Sequence, residues 1–366
     1  MNFLILPHQL FDIKYLPTNK DIKKIFLYEH PQYFTKYKYN KKRLILHRAS
    51  MKYYYDYLSK NKYNVTYLEY NKKLPNISNL NYFDPIDKIK IKGIMLESPN
   101  FLLTKEHYNL YRKKTDKFIF NNFYMFGKKI NNIIPTVKSQ DKYNRERISL
   151  KTKINIPKLP SLSTIDKKYI NEAIKYTEMH FKNNYGNTND FIFPVTHKTS
   201  RKWLNYFITT KLKFFGKYQD FIIPGQPYLY HSILSPCINI GLINPSEIID
   251  ILKPIKSKFP LNSYEGYIRQ LYWREFQRYC YIHFNFNKNY FRNNKKLTKS
   301  WYTGETGIKP VDDSIKMAFD TGYLHHIIRL MIIGNWMNLT GIHPTQGFKW
   351  FMEFSCDSYE WVMHQN

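Results

Sequence analysis

Glycine is scarce in this chain of 366 residues: there are 13, and none stands before Gly93. That excludes a Gly-x-Gly-x-x-Gly turn or a Walker loop from the N-terminal region, because phosphate approaches the backbone that closely only where glycine removes the Cβ. A nicotinamide or nucleotide enzyme of the usual doubly wound kind is disfavoured. Cysteine is scarcer still. Cys237, Cys280 and Cys356 stand far apart and form no Cys-x-x-Cys pair, so the sequence offers no thiolate metal site and no disulfide framework, which suits a reducing compartment. Acids are outnumbered: 28 Asp and Glu face 57 Lys and Arg, a net charge of +29 that favours polyanionic partners. Lys, Asn, Ile and Tyr are enriched together, however, as a coding bias towards A and T also produces. The opening Met1–Pro7 has too short an apolar run for a signal peptide, and no run is long enough to cross a bilayer. The chain is expected to be soluble and intracellular.

Rings and alternating patterns are abundant. Aromatic residues make up 18% of the chain, 33 Tyr and 26 Phe among them, able to fill a core or to stack on bases or a flavin. In the first third, Phe3–Leu6, Ile25–Tyr28, Val65–Leu68 and Ile91–Leu96 read as strands, with Tyr33–Asn61 and Thr104–Lys114 as helices between them. Such alternation predicts a parallel sheet with helices on its faces, and ligands beyond the strands' carboxyl ends. Candidate binding turns there contain Gln9, Glu29 and Glu97. The Pro- and Ser-rich stretch Ile154–Ser163 reads as a linker, and beyond it the apolar period is helical. The predicted organisation is an α/β domain over residues 1–140, a linker over 141–175 and an all-α domain over 176–366.

Three stretches of the second half carry candidate chemistry. In Thr321-Gly-Tyr-Leu-His-His-Ile-Ile-Arg-Leu-Met331, residues Leu324, Ile327, Ile328, Met331 and Ile332 predict a buried helix face. Gly322 is its breaker, and His325 and His326 stand four and three residues from Arg329, beside one guanidinium. Such a cation is costly on an apolar helix unless an acid such as Asp357 closes the network. In His231-Ser-Ile-Leu-Ser-Pro236, two hydroxyls three apart suit a phosphate at a helix start or, equally, an ordinary cap. In Arg269-Gln-Leu-Tyr-Trp-Arg-Glu275, Gln270 and Arg274 share a helix face with Tyr267, a stripe fitted to a ring with polar edges. Arg269, Trp273 and Glu275 read as well as a salt-bridged exterior.

Together with Asp357-Ser-Tyr-Glu-Trp-Val362, Gln9-Leu-Phe11, His47-Arg-Ala-Ser-Met51, Glu97-Ser-Pro-Asn-Phe101 and Phe215-Gly-Lys-Tyr-Gln-Asp220, these phrases resemble the cryptochrome/photolyase superfamily. More closely they resemble the photolyase-related branch that includes bacterial (6-4) photolyases. The resemblance implies an α/β antenna domain followed by a helical domain that holds FAD in a bent conformation. Ser232, Ile233, Leu234 and Ser235 would contact its pyrophosphate, and Tyr218, Tyr267, Gln270 and Arg274 would line the rest of the pocket. Arg329 and Asp357 would form an ion pair beside the isoalloxazine, where a cation stabilises the reduced anionic ring. His325 and His326 would meet a lesion flipped out of UV-damaged DNA, as general acid, while reduced FAD donates an electron in the light. A lumazine-type antenna would fall near Gln9, Glu29 and Glu97.

Departures from the branch pattern set further expectations. Pro310 stands where the branch has a cluster cysteine, and the other cluster cysteines are missing, so this chain is not expected to hold an iron–sulfur cluster. Met363, six beyond Asp357, stands where photolyases place a polar group towards flavin N5. The sequence stops soon after Glu-Trp-Val, which reads as a C-terminal truncation whose remainder a separate polypeptide would supply. The alternatives to a repair enzyme are a cryptochrome-like blue-light sensor and an inactive or split photolyase fragment.

Overall fold

The structure is a computed structural model that describes residues 1–144, 149, 152–285 and 288–364. Strands β1 (Asn2–Ile5), β2 (Lys24–Tyr28), β3 (Val65–Leu68), β4 (Leu80–Phe83) and β5 (Ile94–Leu96) form one parallel sheet in the order β3-β2-β1-β4-β5. Phe3 pairs with Ile25 on one side and Asn81 on the other. Phe3, Leu4 and Ile5 are wholly buried, because a central parallel strand is covered on both faces and needs an unbroken apolar run. β4 has no such run in sequence: Leu80-Asn-Tyr-Phe83 carries a polar residue and becomes a strand by pairing between β1 and β5. The expected strand Ile91–Leu96 contracts to an edge strand whose Ile94 is 61% exposed.

The expected helix Tyr33–Asn61 is two helices, Pro31–Phe34 and α1 (Lys41–Lys60). Asn40 makes the break by accepting the Lys42 amide, an N-cap that starts α1 afresh. After α2 (Lys105–Lys114) comes α3 (Phe120–Ile130), followed by α4 (Thr164–His180). Residues 164–175 were expected in the linker and are instead the first turns of α4, opened by a reciprocal capping box between Ser163 and Asp166. α4 packs along α1 and brings Glu172 and Tyr176 onto Arg48 and Glu29. Residues 145–148 and 150–151 of the expected linker lie outside the described residues.

Beyond α4 the described chain is helical. α5 (His197–Tyr206) runs through a π-helical turn, Phe207–Lys211, into α6 (Leu212–Tyr218). α7 (Pro245–Leu252), α8 (Leu261–His283), α9 (Lys309–Thr321) and α10 (Pro344–Phe354) follow. α8 is the central strut, packed on α3 and α6. Its Glu275, offered above as an exterior residue, is wholly buried and accepts the amides of Leu102 and Leu103 and the Tyr108 hydroxyl. The helix expected to carry Leu324, Ile327, Ile328, Met331 and Ile332 begins only at His326 and is π-wound over Ile328–Gly334. The wider turn shifts the helical phase, so Met331, predicted to be buried, is 63% exposed while Ile333 and Met337 face the core. The molecule is thus an α/β domain built on a parallel sheet, joined to an all-α domain.

Candidate cofactor and catalytic site

Gly322 ends α9 in a left-handed conformation, φ 66°, and its carbonyl accepts the Cys356 amide at 2.9 Å. A Cβ there would lie 2.6 Å from the Cys356 sulfur, so only glycine lets the chain turn against the segment that carries Asp357. The turn sets Arg329 and Asp357 face to face: the Arg329 Nη2 donates to Asp357 Oδ1 at 2.9 Å, and its Nε donates to the Leu324 carbonyl at 2.7 Å. Ser235 donates to Asp357 Oδ2 at 2.6 Å and Ser355 to Oδ1 at 2.5 Å. Burial alone would raise the Asp357 carboxyl. The Arg329 charge and the two hydroxyls outweigh it and hold Asp357 below the usual carboxylate range.

This couple lies in the wall of a cavity enclosing about 1130 Å³ of empty space, its mouth included. Ser232, Ile233, Ser235, Tyr267, Gln270, Arg274, His325 and His326 also line it. α8 supplies Tyr267, Gln270 and Arg274 from one face, as their spacing predicts. Arg274 donates to Asn239 Oδ1 at 2.9 Å, and Asn239 donates to the Asp357 carbonyl at 3.0 Å, so α8 and the Asp357 segment are braced through one amide. Ile233 is buried with φ 57°, a strained backbone for a β-branched residue. That turn holds Ser232 and Ser235 on the cavity wall either side of it.

The imidazoles differ. His325 is 2% exposed and both ring nitrogens lack partners; burial, His231, Arg329 and His326 push it down to about 2. His326 is half-buried, and burial with Arg329 and Arg269 pushes it down to about 4. Gln219, another lining residue, is buried with both amide atoms unpartnered. Buried polar atoms are normally bonded. Unmet donors and acceptors gathered around one open cavity fit a ligand with polar edges, and Tyr267, Trp273 and Arg274 offer it flat or cationic surfaces. FAD meets that description.

Not every expected residue reaches the cavity. Tyr218 does not line it: its ring stacks on Tyr230, with centroids 4.7 Å apart. Leu234 is wholly buried and also outside the lining. Met363 lines a separate groove with Met337, Phe348 and Phe351, and Val362 is the residue of that turn which meets the cavity. At the sheet's carboxyl edge, Gln9 is spent on the Phe83 carbonyl and the Leu6 amide. Glu29 accepts from Arg48, Tyr67, Tyr176 and the Tyr70 amide, and Glu97 from the Lys105 amide. Gln219, His231 and Asn239 were not singled out from the sequence, although each lies inside or next to a phrase that was.

A parallel-sheet domain joined to a helical domain whose cavity is mainly apolar and ring-lined, with a few polar and charged groups, defines a cofactor-binding α/β-plus-α protein. Family comparison makes this specific. Residues 3–87 match the model described as deoxyribodipyrimidine photo-lyase-related protein, and residues 267–365 match the FAD binding domain of DNA photolyase. The chain is similar to a (6-4) photolyase of Agrobacterium fabrum, 36% identical over 204 residues, which are 53% of this chain and 40% of that protein. Its fold covers 78% of a bacterial class III photolyase from Agrobacterium tumefaciens at a TM-score of 0.65, and 81% of a Synechocystis cryptochrome at 0.70. Both alignments take in the whole of this chain, at 14% and 15% identity, and show the fold alone. The chain belongs to the photolyase/cryptochrome family and carries a photolyase-type FAD-binding domain. Among the described residues, no helix is long and apolar enough to cross a membrane.

Proposed function

We propose that this chain binds FAD in the central cavity and takes part in light-driven repair of UV-damaged DNA. The observation that carries the reading is the joint placement, around one cavity, of the fixed Arg329–Asp357 couple and the paired imidazoles of His325 and His326. When bound, FAD supplies the light-absorbing centre and the electron. The residues of the chain do the rest. Arg329, held by Leu324 and Asp357, presents a cation whose position does not depend on the ligand. Asp357 remains ionised and anchors it. The turn at Ile233 offers the hydroxyl of Ser232, and Arg274, pushed down to about 10 chiefly by burial, still carries its charge at neutral pH. His326, the less buried of the pair, exchanges its proton with the lesion through a ring nitrogen; incoming phosphate charge favours the imidazolium there. The net charge of +29 supplies the phosphate contacts that position a duplex without reading its sequence.

The test is direct. Protein loaded with FAD and reduced is given DNA carrying cyclobutane dimers or (6-4) products, and lesions are counted after blue or near-UV light. Loss of either lesion in the light but not in the dark is expected. Both lesions persisting overturns the reading, and photoreduction of the flavin without lesion affinity would place the chain with light sensors instead.

A further inference from the structure

The helical domain puts a third imidazole against the pair. His231, the residue before the Ser232 turn, stacks on His325 with ring centroids 4.7 Å apart and planes 17° from parallel. Its Nε2 faces the Gln219 carbonyl at 3.0 Å, so that nitrogen is the donor and the tautomer is fixed. His325 has no such acceptor at either nitrogen.

We infer that His231 is a positioning residue, which holds the ring plane of His325 and adds to burial in keeping His325 neutral, so that His326 carries the exchangeable proton of the pair. The argument is one of competition. Two imidazoles stacked at this distance in a buried site do not both accept a proton, because like charges so close repel strongly where water is excluded. The stack therefore titrates as a unit, and its single proton goes to the ring whose N–H already points at a carbonyl. That ring is His231. The charges facing the two rings reinforce the result. Arg329 and His326 face His325, and Lys211 faces His231 while donating to the Leu229 and His231 carbonyls. Two carboxylates line the same cavity, Asp220 and Asp357, and Asp357 is taken up by Arg329. His326 stands outside the stack and is less buried, which leaves it, of the His325–His326 pair, the imidazole that gains charge when an anion arrives.

The assignment of His326 as the donor rests on the repair reading; the control of His325 by His231 does not. Histidine ring signals of the full chain, followed by NMR against pH without DNA, test the second point by themselves. In the native protein His325 stays neutral, in one tautomer, to the lowest pH at which the fold persists. His231→Phe keeps a ring in the stack and removes the competing base, and His231→Asn removes the ring. In both, a His325 titration step is expected to enter the pH range in which the protein stays folded, about one pH unit or more above its native position, and the His326 midpoint to move less. Circular dichroism confirms that each variant is folded, and either one suffices. An unmoved His325 midpoint in a folded variant overturns the inference even if repair is observed. A moved midpoint with no repair of any lesion leaves His231 in this role and sinks the repair reading alone.

Discussion

Arg48 with Glu29 in the sheet domain, and Arg329 with Asp357 in the helical domain, are both buried guanidinium–carboxylate couples closed at 2.9 Å. They differ in what is left over around them. Glu29 takes four donors and Arg48 reaches Glu69 and Glu172 as well, with Tyr176 under its guanidinium at 3.7 Å. Every atom of that carboxylate is used, and no capacity remains for a ligand. Asp357 is equally satisfied, but its neighbours His325 and Gln219 are not, and they border open space. A buried ion pair is therefore no sign of a binding site by itself. The sign is unmet bonding capacity that borders an open cavity, since buried His47, next to Arg48, also lacks partners at both ring nitrogens but does not line that cavity.

The largest effect that separates the two is expected from Glu29→Ala. It strands the Tyr70 amide and two tyrosine hydroxyls and takes one partner from a buried guanidinium, a loss on the order of 3–5 kcal/mol of stability. Urea unfolding measures it, and the FAD retained by the folded fraction is expected to stay unchanged. Asp357→Asn is the converse. The isosteric amide retains much of the packing, so stability falls by about 2 kcal/mol, while FAD retention, read from flavin absorbance after gel filtration, drops at least tenfold. If Glu29→Ala abolished FAD binding in folded protein, or Asp357→Asn left it intact, the distinction between closed and open couples would be lost.

The regions share one liability. His8 and His47 near the sheet, and His231 and His325 at the cavity, are held neutral chiefly by burial; His8 is pushed to about 3, His231 to about 4 and His325 to about 2, with His47 well below its ordinary range. In the unfolded chain each titrates near the ordinary 6.5. With folded values depressed below that, each base contributes stability that is fully present above pH 6.5 and lost as pH falls towards the folded value, since the unfolded state then binds the extra proton. Each costs about 1.4 kcal/mol per pH unit below 6.5. The urea midpoint is therefore expected to fall steadily from pH 6.5 to pH 5. His47→Phe and His325→Phe should each flatten the slope by one proton, the sheet domain and the cavity contributing alike. A midpoint independent of pH would mean that these rings find protons in the folded state.

How much of this was legible follows from where each signal sits. The central strands β1 and β2 and the α8 stripe of Tyr267, Gln270 and Arg274 are local patterns, and the structure keeps them. β4 was not legible because Leu80-Asn-Tyr-Phe83 has no run of its own and exists through its neighbours. The π-helical turn over Ile328–Gly334 defeated the expected face, since a period of 3.6 cannot register an inserted residue. His231 was visible in its phrase, but its stack with His325 joins residues 94 apart in sequence, and no spacing rule reaches that far. Tyr218 shows the opposite: its phrase matches, while its ring stacks on Tyr230, a neighbour outside the motif, and stays out of the cavity lining.

The smallest expected effect sharpens the cavity's outline. The resemblance to photolyases implied that Met363, six beyond Asp357, faces the ring, yet the short helix Glu360–Met363 turns Val362 to the cavity and Met363 into the neighbouring groove. An amide introduced at the position that meets the cavity can hydrogen-bond the bound flavin, and one at the other cannot. Val362→Asn is accordingly expected to shift the two-electron midpoint potential of bound FAD by about 20 mV, the equivalent of about 1 kcal/mol for one net hydrogen bond. Met363→Asn is expected to leave the potential where it is and to cost stability instead, because it places an amide among Met337, Phe348 and Phe351. Spectroelectrochemical titration of both variants against native protein distinguishes the two positions. A shift with Met363→Asn and none with Val362→Asn would reverse the assignment and turn this helix by one residue around the cavity.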